Sequence, residues 1–156
     1  MNTFKKAFTM IELVFVIVII GILSAVAMPK LSVMVEDANF ASAKATVSSL
    51  RSAISSERQR TLMTGSAAYP LILDDATKDL EHQSLFDGNA SIHIMQYPIY
   101  SKTDAGGWMK TTDNSAATIG YRYYINSGRT VAFTYTKATG IFDCDHTVED
   151  CRLLSE

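Results

Sequence analysis

The chain has 156 residues and a formal net charge of −2, enough for one domain of ordinary size and not comfortably for two. Lys and Arg are scattered apart from the Lys5-Lys6 pair, so no basic field points to nucleic acid as a direct partner. A composition of 47% hydrophobic and 19% charged residues excludes a disordered or collagen-like chain, but nearly all the strongly apolar sequence lies near the N-terminus.

Residues 1–7 (MNTFKKA) are short and basic, and from Leu13 to Pro29 no charge occurs. Counted from Phe8, an apolar stretch of about 22 residues is broken only by Thr9, Glu12 and Ser24. At ~1.5 Å per residue it reaches roughly 33 Å, enough to cross a hydrocarbon core of about 30 Å. Lys5 and Lys6 precede it, which predicts a cytoplasmic N-terminus and an exported remainder. Three readings compete. Ala25-Val26-Ala27 offers a cleavage site for a secretory signal, but the apolar run exceeds the usual ~7–15 residues and contains a carboxylate. A plain signal anchor leaves Glu12 without a purpose. The third reading gives Glu12 a role in assembly. A charge at a bilayer centre costs roughly 2.5–3.5 kcal/mol, less near the edge where Glu12 sits. Its counter-charge is then either Lys5 or Lys6, or a group on another molecule.

Ala7-Phe8-Thr9-Met10-Ile11-Glu12-Leu13, continuing into Gly21 and Pro29, resembles the processing signal of type IV prepilins and type II secretion pseudopilins. The resemblance covers roughly residues 5–31. It implies that a prepilin peptidase cuts between Ala7 and Phe8 and methylates the new amine of Phe8. It also implies a structural, non-enzymatic subunit that polymerises with itself and with other pilins or pseudopilins on an inner-membrane assembly platform. Ala7 departs from the family, which normally has Gly before the cut. In this reading Glu12 is neutralised by the Phe8 amine of a neighbouring subunit, a pairing that sets register more than affinity. Gly21 and Pro29 weaken the helix between them: Pro29 removes one hydrogen bond and crowds the carbonyl of Ala25. Residues 21–29 then either melt partly on assembly or keep a simple proline kink.

Beyond Pro29, Phe40, Ala43, Val47, Leu50 and Ile54 recur at helical spacing, with Lys44, Ser48, Arg51 and Ser55 off the stripe. One helix is predicted from about Phe8 to about Leu62, ended by Gly65 and Pro70. The expected organisation is a leader over 1–7, a transmembrane and assembly segment over 8–29, an amphipathic half-helix over 30–62 and a periplasmic globular domain over 63–156.

Residues 63–91 read as irregular, with helical turns near Asp75–Leu80 and Gln83–Phe86. Alternation predicts a short strand over Ile92–Tyr97 and longer ones over Ile119–Ile125, Val131–Tyr135 and from Ile141, with turns at Asn126-Ser127-Gly128 and Lys137–Gly140. Asp104–Ser115 reads as a long exposed loop, with Trp108 either on the surface or tucked beneath it. The fold class is therefore α+β, a long N-terminal helix laid on a small antiparallel sheet, which is also what the pilin resemblance implies.

Cys144 and Cys151 are expected to form a disulfide in an oxidising periplasm, closing a loop of about eight residues. Asp143, Asp145, Glu149 and Asp150 crowd the same loop and are weak calcium candidates, the alternative being a solvated acidic loop. His82, His93 and His146 share no ligand spacing, and no grouping of side chains suits catalysis. Two roles follow from the resemblance: a subunit of a secretion pseudopilus, or one of a surface type IV pilus. The alternative class is a membrane-anchored periplasmic binding domain that never polymerises.

Overall fold

The computed structural model describes residues 8–155, and the element order is helix, two short strands, four strands, helix. The first helix, α1, runs Met10–Met63 and is continuous through Gly21 and Pro29. Two compact units divide the chain, Met1–Asp37 and Ala38–Glu156. In the first, α1 carries a stretch long and apolar enough to cross a membrane. Its large apolar side chains, Phe15 and Ile22 among them, are exposed. A helix suits this sequence because it satisfies the backbone internally where apolar side chains face outward.

The second unit begins with the C-terminal part of α1. Ala43, Val47, Leu50 and Ile54 are buried and Phe40 is half-buried, so the predicted stripe faces the core. The helix stops at Gly65, whose φ of 89° is costly for residues with a Cβ. There the amide of Ser66 bonds the Thr61 carbonyl at 3.0 Å and that of Gly65 bonds Leu62 at 3.1 Å, the paired closure of a Schellman motif.

Strands β1 (Ser84–Leu85) and β2 (Ile99–Tyr100) form a small antiparallel pair. Strands β3 (Gly107–Lys110), β4 (Thr118–Tyr124), β5 (Thr130–Thr136) and β6 (Ile141–Cys144) form a four-stranded antiparallel meander. Pairing sets Trp108 opposite Tyr123, Tyr121 opposite Phe133, and Tyr135 opposite Phe142. Those rings line the core face, where Phe86 lies 4.8 Å from Tyr121, 5.6 Å, edge-on, from Trp108 and 6.0 Å from Phe142. Side chains of α1 and of the sheet share one hydrophobic core, an α+β, pilin-like arrangement. A last helix, α2 (Glu149–Ser155), packs Cys151 and Leu154 inward.

Local expectations fail at four places. Gln83–Phe86 is not a helical turn, because Ser84 and Leu85 pair with Tyr100 and Ile99. Asp75–Leu80 contains only a turn at residues 78–79. Residues 92–97 form no strand: a single bridge joins Gly88 to His93, and Met95 bonds back to Phe86. Asp104–Ser115 is not one exposed loop, since β3 occupies its middle, and Trp108, 2% exposed, is a core residue. The seven-residue α2 has no counterpart among the expected elements.

Candidate functional site

At the start of α1, Thr9 and Glu12 bond one another. The Glu12 amide donates to Thr9 Oγ1 at 3.3 Å, while the Thr9 amide and hydroxyl each donate to Glu12 Oε2 at 3.0 Å. Leu13 N closes the first helical turn onto the Thr9 carbonyl at 3.2 Å. This is a reciprocal capping box, satisfying two amides that a helix N-terminus otherwise leaves bare. Reading the sequence for charge alone leaves Glu12 without a partner in its own helix; the signal is the Thr9-Met10-Ile11-Glu12 spacing ahead of an apolar run. Oε1 accepts no hydrogen bond among the described residues, and Glu12 and Phe8 are both exposed. Ala7, Lys5 and Lys6 lie outside the described residues. Gly21 has open space where a Cβ would stand.

The second cluster is the C-terminal tail. Cys144 and Cys151 are joined by a disulfide with their Cα atoms 5.8 Å apart, so the last strand is stapled to α2. Arg51, from the C-terminal part of α1, spreads its guanidinium across both: Nε donates to the Phe142 carbonyl at 3.0 Å, Nη1 to the Ser155 carbonyl at 2.9 Å, and Nη2 to Asp143 Oδ1 at 2.9 Å. A planar donor fork suits three divergent acceptors. The sequence places Arg51 merely off the apolar stripe, and nothing local marks its acceptors, about 90–100 residues away in the chain.

Three of the four acidic candidates have separate partners among the described residues. Asp143 meets Arg51 and His146, and its Oδ1 accepts from the Cys144 amide at 2.9 Å. Burial raises its pKa, but the hydrogen bonds from His146 and Cys144 and the charge of Arg51 prevail, so its carboxyl sits below the ordinary range. Asp145 accepts from the amide and hydroxyl of Thr147, which also holds its carboxyl low. Asp150 pairs with Arg129, and Glu149 is exposed in the first turn of α2. Asp143, His146 and Cys151 place donor atoms within 4.8 Å of one another, yet the Cys151 sulfur is committed to Cys144.

A third cluster centres on a buried ion pair. Lys110 lies on the core face of β3, and its Nζ donates to Asp74 Oδ1 at 2.7 Å and to Asn114 Oδ1 at 2.8 Å. Asp74 also accepts from the Tyr121 hydroxyl at 2.8 Å and from the amides of Ala76 and Phe86 at 3.2 Å. Lys110 and Asp74 are each 0% exposed. With both charges answered by several partners, the cluster pins the irregular 63–91 segment to the sheet; its geometry is that of a structural bond.

Residues 3–28 match the family described as the prokaryotic N-terminal methylation motif. The chain is also 52% identical over 48 residues to the type IV narrow pilus major component PilA5 of Thermus thermophilus. That alignment takes in 31% of this chain, and the chain spans only 41% of the relative's length. No solved structure matches. The two matches support the type IV pilin and pseudopilin family that the residues around Glu12 resemble.

Proposed function

We propose that the chain is a structural subunit of a type IV filament, processed by a prepilin peptidase between Ala7 and Phe8 and polymerised through α1. Residues 1–7 are the leader, 8–29 the membrane and assembly segment, 30–62 the amphipathic half-helix and 63–156 the exported domain. Before assembly the subunit rests in the inner membrane with its N-terminus in the cytoplasm; an assembly platform then moves it into the filament. The match of residues 3–28 to a methylation motif supports the processing step.

The observation that carries the reading is the geometry around Glu12. Its Oε2 is held by Thr9, the residue that follows Phe8, while Oε1 takes no bond among the described residues. Cleavage before Phe8 creates an amine next to this cap. In an assembled filament, the amine of one subunit meets the open carboxylate oxygen of the next, and a misplaced neighbour leaves a charge unanswered in apolar surroundings. Gly21 and Pro29 then supply compliance in the segment that exchanges lipid for protein neighbours.

The surface pilus is the preferred member of this class, on two grounds. The relative is named as a pilus component, and the tail carries a disulfide staple. A type II secretion pseudopilus is the second reading. The deciding experiment is intact-mass analysis of the mature protein with microscopy of a deletion strain. A chain beginning at methylated Phe8, and loss of surface filaments on deletion, are expected. Retention of residues 1–7 would favour an anchored periplasmic binding domain, and intact filaments with lost export of a secreted substrate would favour the pseudopilus.

A further inference from the structure

Asn89 is the member of the chain's five asparagines that has Ser or Thr two positions later, in Asp87-Gly88-Asn89-Ala90-Ser91. An Asn-x-Ser triplet without proline is an acceptor sequence for N-linked sugar, provided that it reaches an exported, exposed loop. The export rests on the function proposed above; the exposure is structural. Ala90 and Ser91 are exposed or nearly so and Asn89 is half-buried, in a turn between the β1 strand and residue 93.

The carboxamide of Asn89 has a fixed orientation. Its Oδ1 accepts from the amides of Ser91 at 2.8 Å and Ile92 at 2.9 Å, while the Asn89 amide bonds the Ile92 carbonyl at 2.7 Å. Nδ2 makes no hydrogen bond among the described residues, nor does the Ser91 hydroxyl. The oxygen is thus turned into the loop, which leaves the nitrogen and the hydroxyl for another molecule. Two amides on Oδ1 draw electron density from the carboxamide, which makes an Nδ2 proton easier to remove. Gly88 permits the tight return of the chain: its φ is 84°, and a Cβ there would stand 1.8 Å from the Ile92 carbonyl oxygen. An open cleft of about 570 Å³, lined by Asp87, Asn89, His93 and Pro98 among others, adjoins the turn and gives a bulky donor room.

We propose that Asn89 is an N-glycosylation site, modified on the exported side by a membrane oligosaccharyl transferase using a polyprenyl-pyrophosphate-linked oligosaccharide. Nδ2 bonds to the anomeric carbon of the first sugar, the bond from that carbon to the pyrophosphate oxygen breaks, polyprenyl pyrophosphate leaves, and one Nδ2 proton passes to a carboxylate of the transferase. Ser91 positions the acceptor through its free hydroxyl.

The test is mass spectrometry of the protein purified from its own host. Trypsin releases residues 79–102 as one peptide, because Lys78 and Lys102 flank a stretch without Lys or Arg. This peptide is expected to carry sugar on Asn89, with the modification lost in Asn89→Gln and Ser91→Ala and kept in Ser91→Thr. Ser91→Ala spares the turn, which uses only backbone atoms of Ser91. An unmodified peptide from the native protein, or sugar persisting in Ser91→Ala, overturns the proposal. The N-terminal peptide of the same sample reports processing at Phe8, so a failed processing reading is distinguished from an unmodified Asn89.

Discussion

Thr9 and Glu12 cap each other: the Glu12 carboxylate holds the Thr9 amide at 3.0 Å, and the Thr9 hydroxyl oxygen receives the Glu12 amide at 3.3 Å. Glu12 therefore has two separable properties, hydrogen-bond acceptance within its own helix and negative charge toward a neighbour. Alanine removes both, whereas glutamine keeps an acceptor oxygen and removes only the charge.

Both Glu12→Ala and Glu12→Gln are expected to be exported, folded and absent from filaments. Immunoblots of sheared filament fractions against whole-membrane fractions measure this. Wild-type filament yield from Glu12→Gln would show that the cap, and not the charge, is what assembly uses, and the intersubunit ion pair would have to be abandoned.

Lys110→Met is expected to destabilise the folded protein by about 3–5 kcal/mol, because it leaves Asp74 buried without its cation. Asp74→Asn added to Lys110→Met should recover part of that loss, since the buried charge is gone and the carboxamide oxygen, set where Oδ2 stands, still accepts from the Tyr121 hydroxyl and the Phe86 amide, leaving only the Ala76 amide without its acceptor. Urea denaturation of the full chain in detergent reads the difference. A Lys110→Met cost below about 1 kcal/mol would mean that water or a shifted side chain serves Asp74 instead.

The contrast between β4–β5 and β3 explains what a reader of this sequence can and cannot see. Ile119, Tyr121 and Tyr123, and Val131, Phe133 and Tyr135, alternate with other residues and are the buried members of their strands. The stripe from Ala43 to Ile54 is equally plain. In β3 the core-facing position after Trp108 is a lysine, so the alternation breaks on paper. Its satisfaction depends on Asp74, 36 residues earlier, which no local pattern reveals. Arg51 is hidden for the same reason: its acceptors belong to β6 and α2. Glu12 stands out as a charge in an apolar run, whereas its cap with Thr9 is a spacing signal that attention to charge passes over.

Replacing Cys144 and Cys151 by serine is expected to cost roughly 2–3 kcal/mol, the chain-entropy value for so short a loop. The tail should loosen without detaching, because Arg51 still bonds the Phe142 and Ser155 carbonyls. Hydrogen exchange should then quicken in α2 while β4 and β5 keep their protection, and combining the serines with Arg51→Met should release α2 altogether. Unchanged exchange in α2 of that triple variant would assign the tail's order to Leu154 packing together with the Arg129–Asp150 pair.

Three core tyrosines set the alkaline limit. Burial, followed by the neighbouring Asp74 carboxylate, pushes the Tyr121 hydroxyl well above its ordinary value. Burial pushes Tyr123 up to about 12, and burial together with Tyr69 raises Tyr135 as well. An unfolded tyrosine ionises near pH ~10. A folded-state pKa raised above that value means the contribution to stability is complete below about pH 10 and falls as pH rises toward the folded value, by about 1.4 kcal/mol per unit for each tyrosine. Phenolate absorbance followed against pH should therefore show these three hydroxyls ionising only together with loss of the near-ultraviolet circular dichroism of the core. A transition near pH 10 that includes Tyr121, with the core signal intact, would place that hydroxyl in water rather than against Asp74.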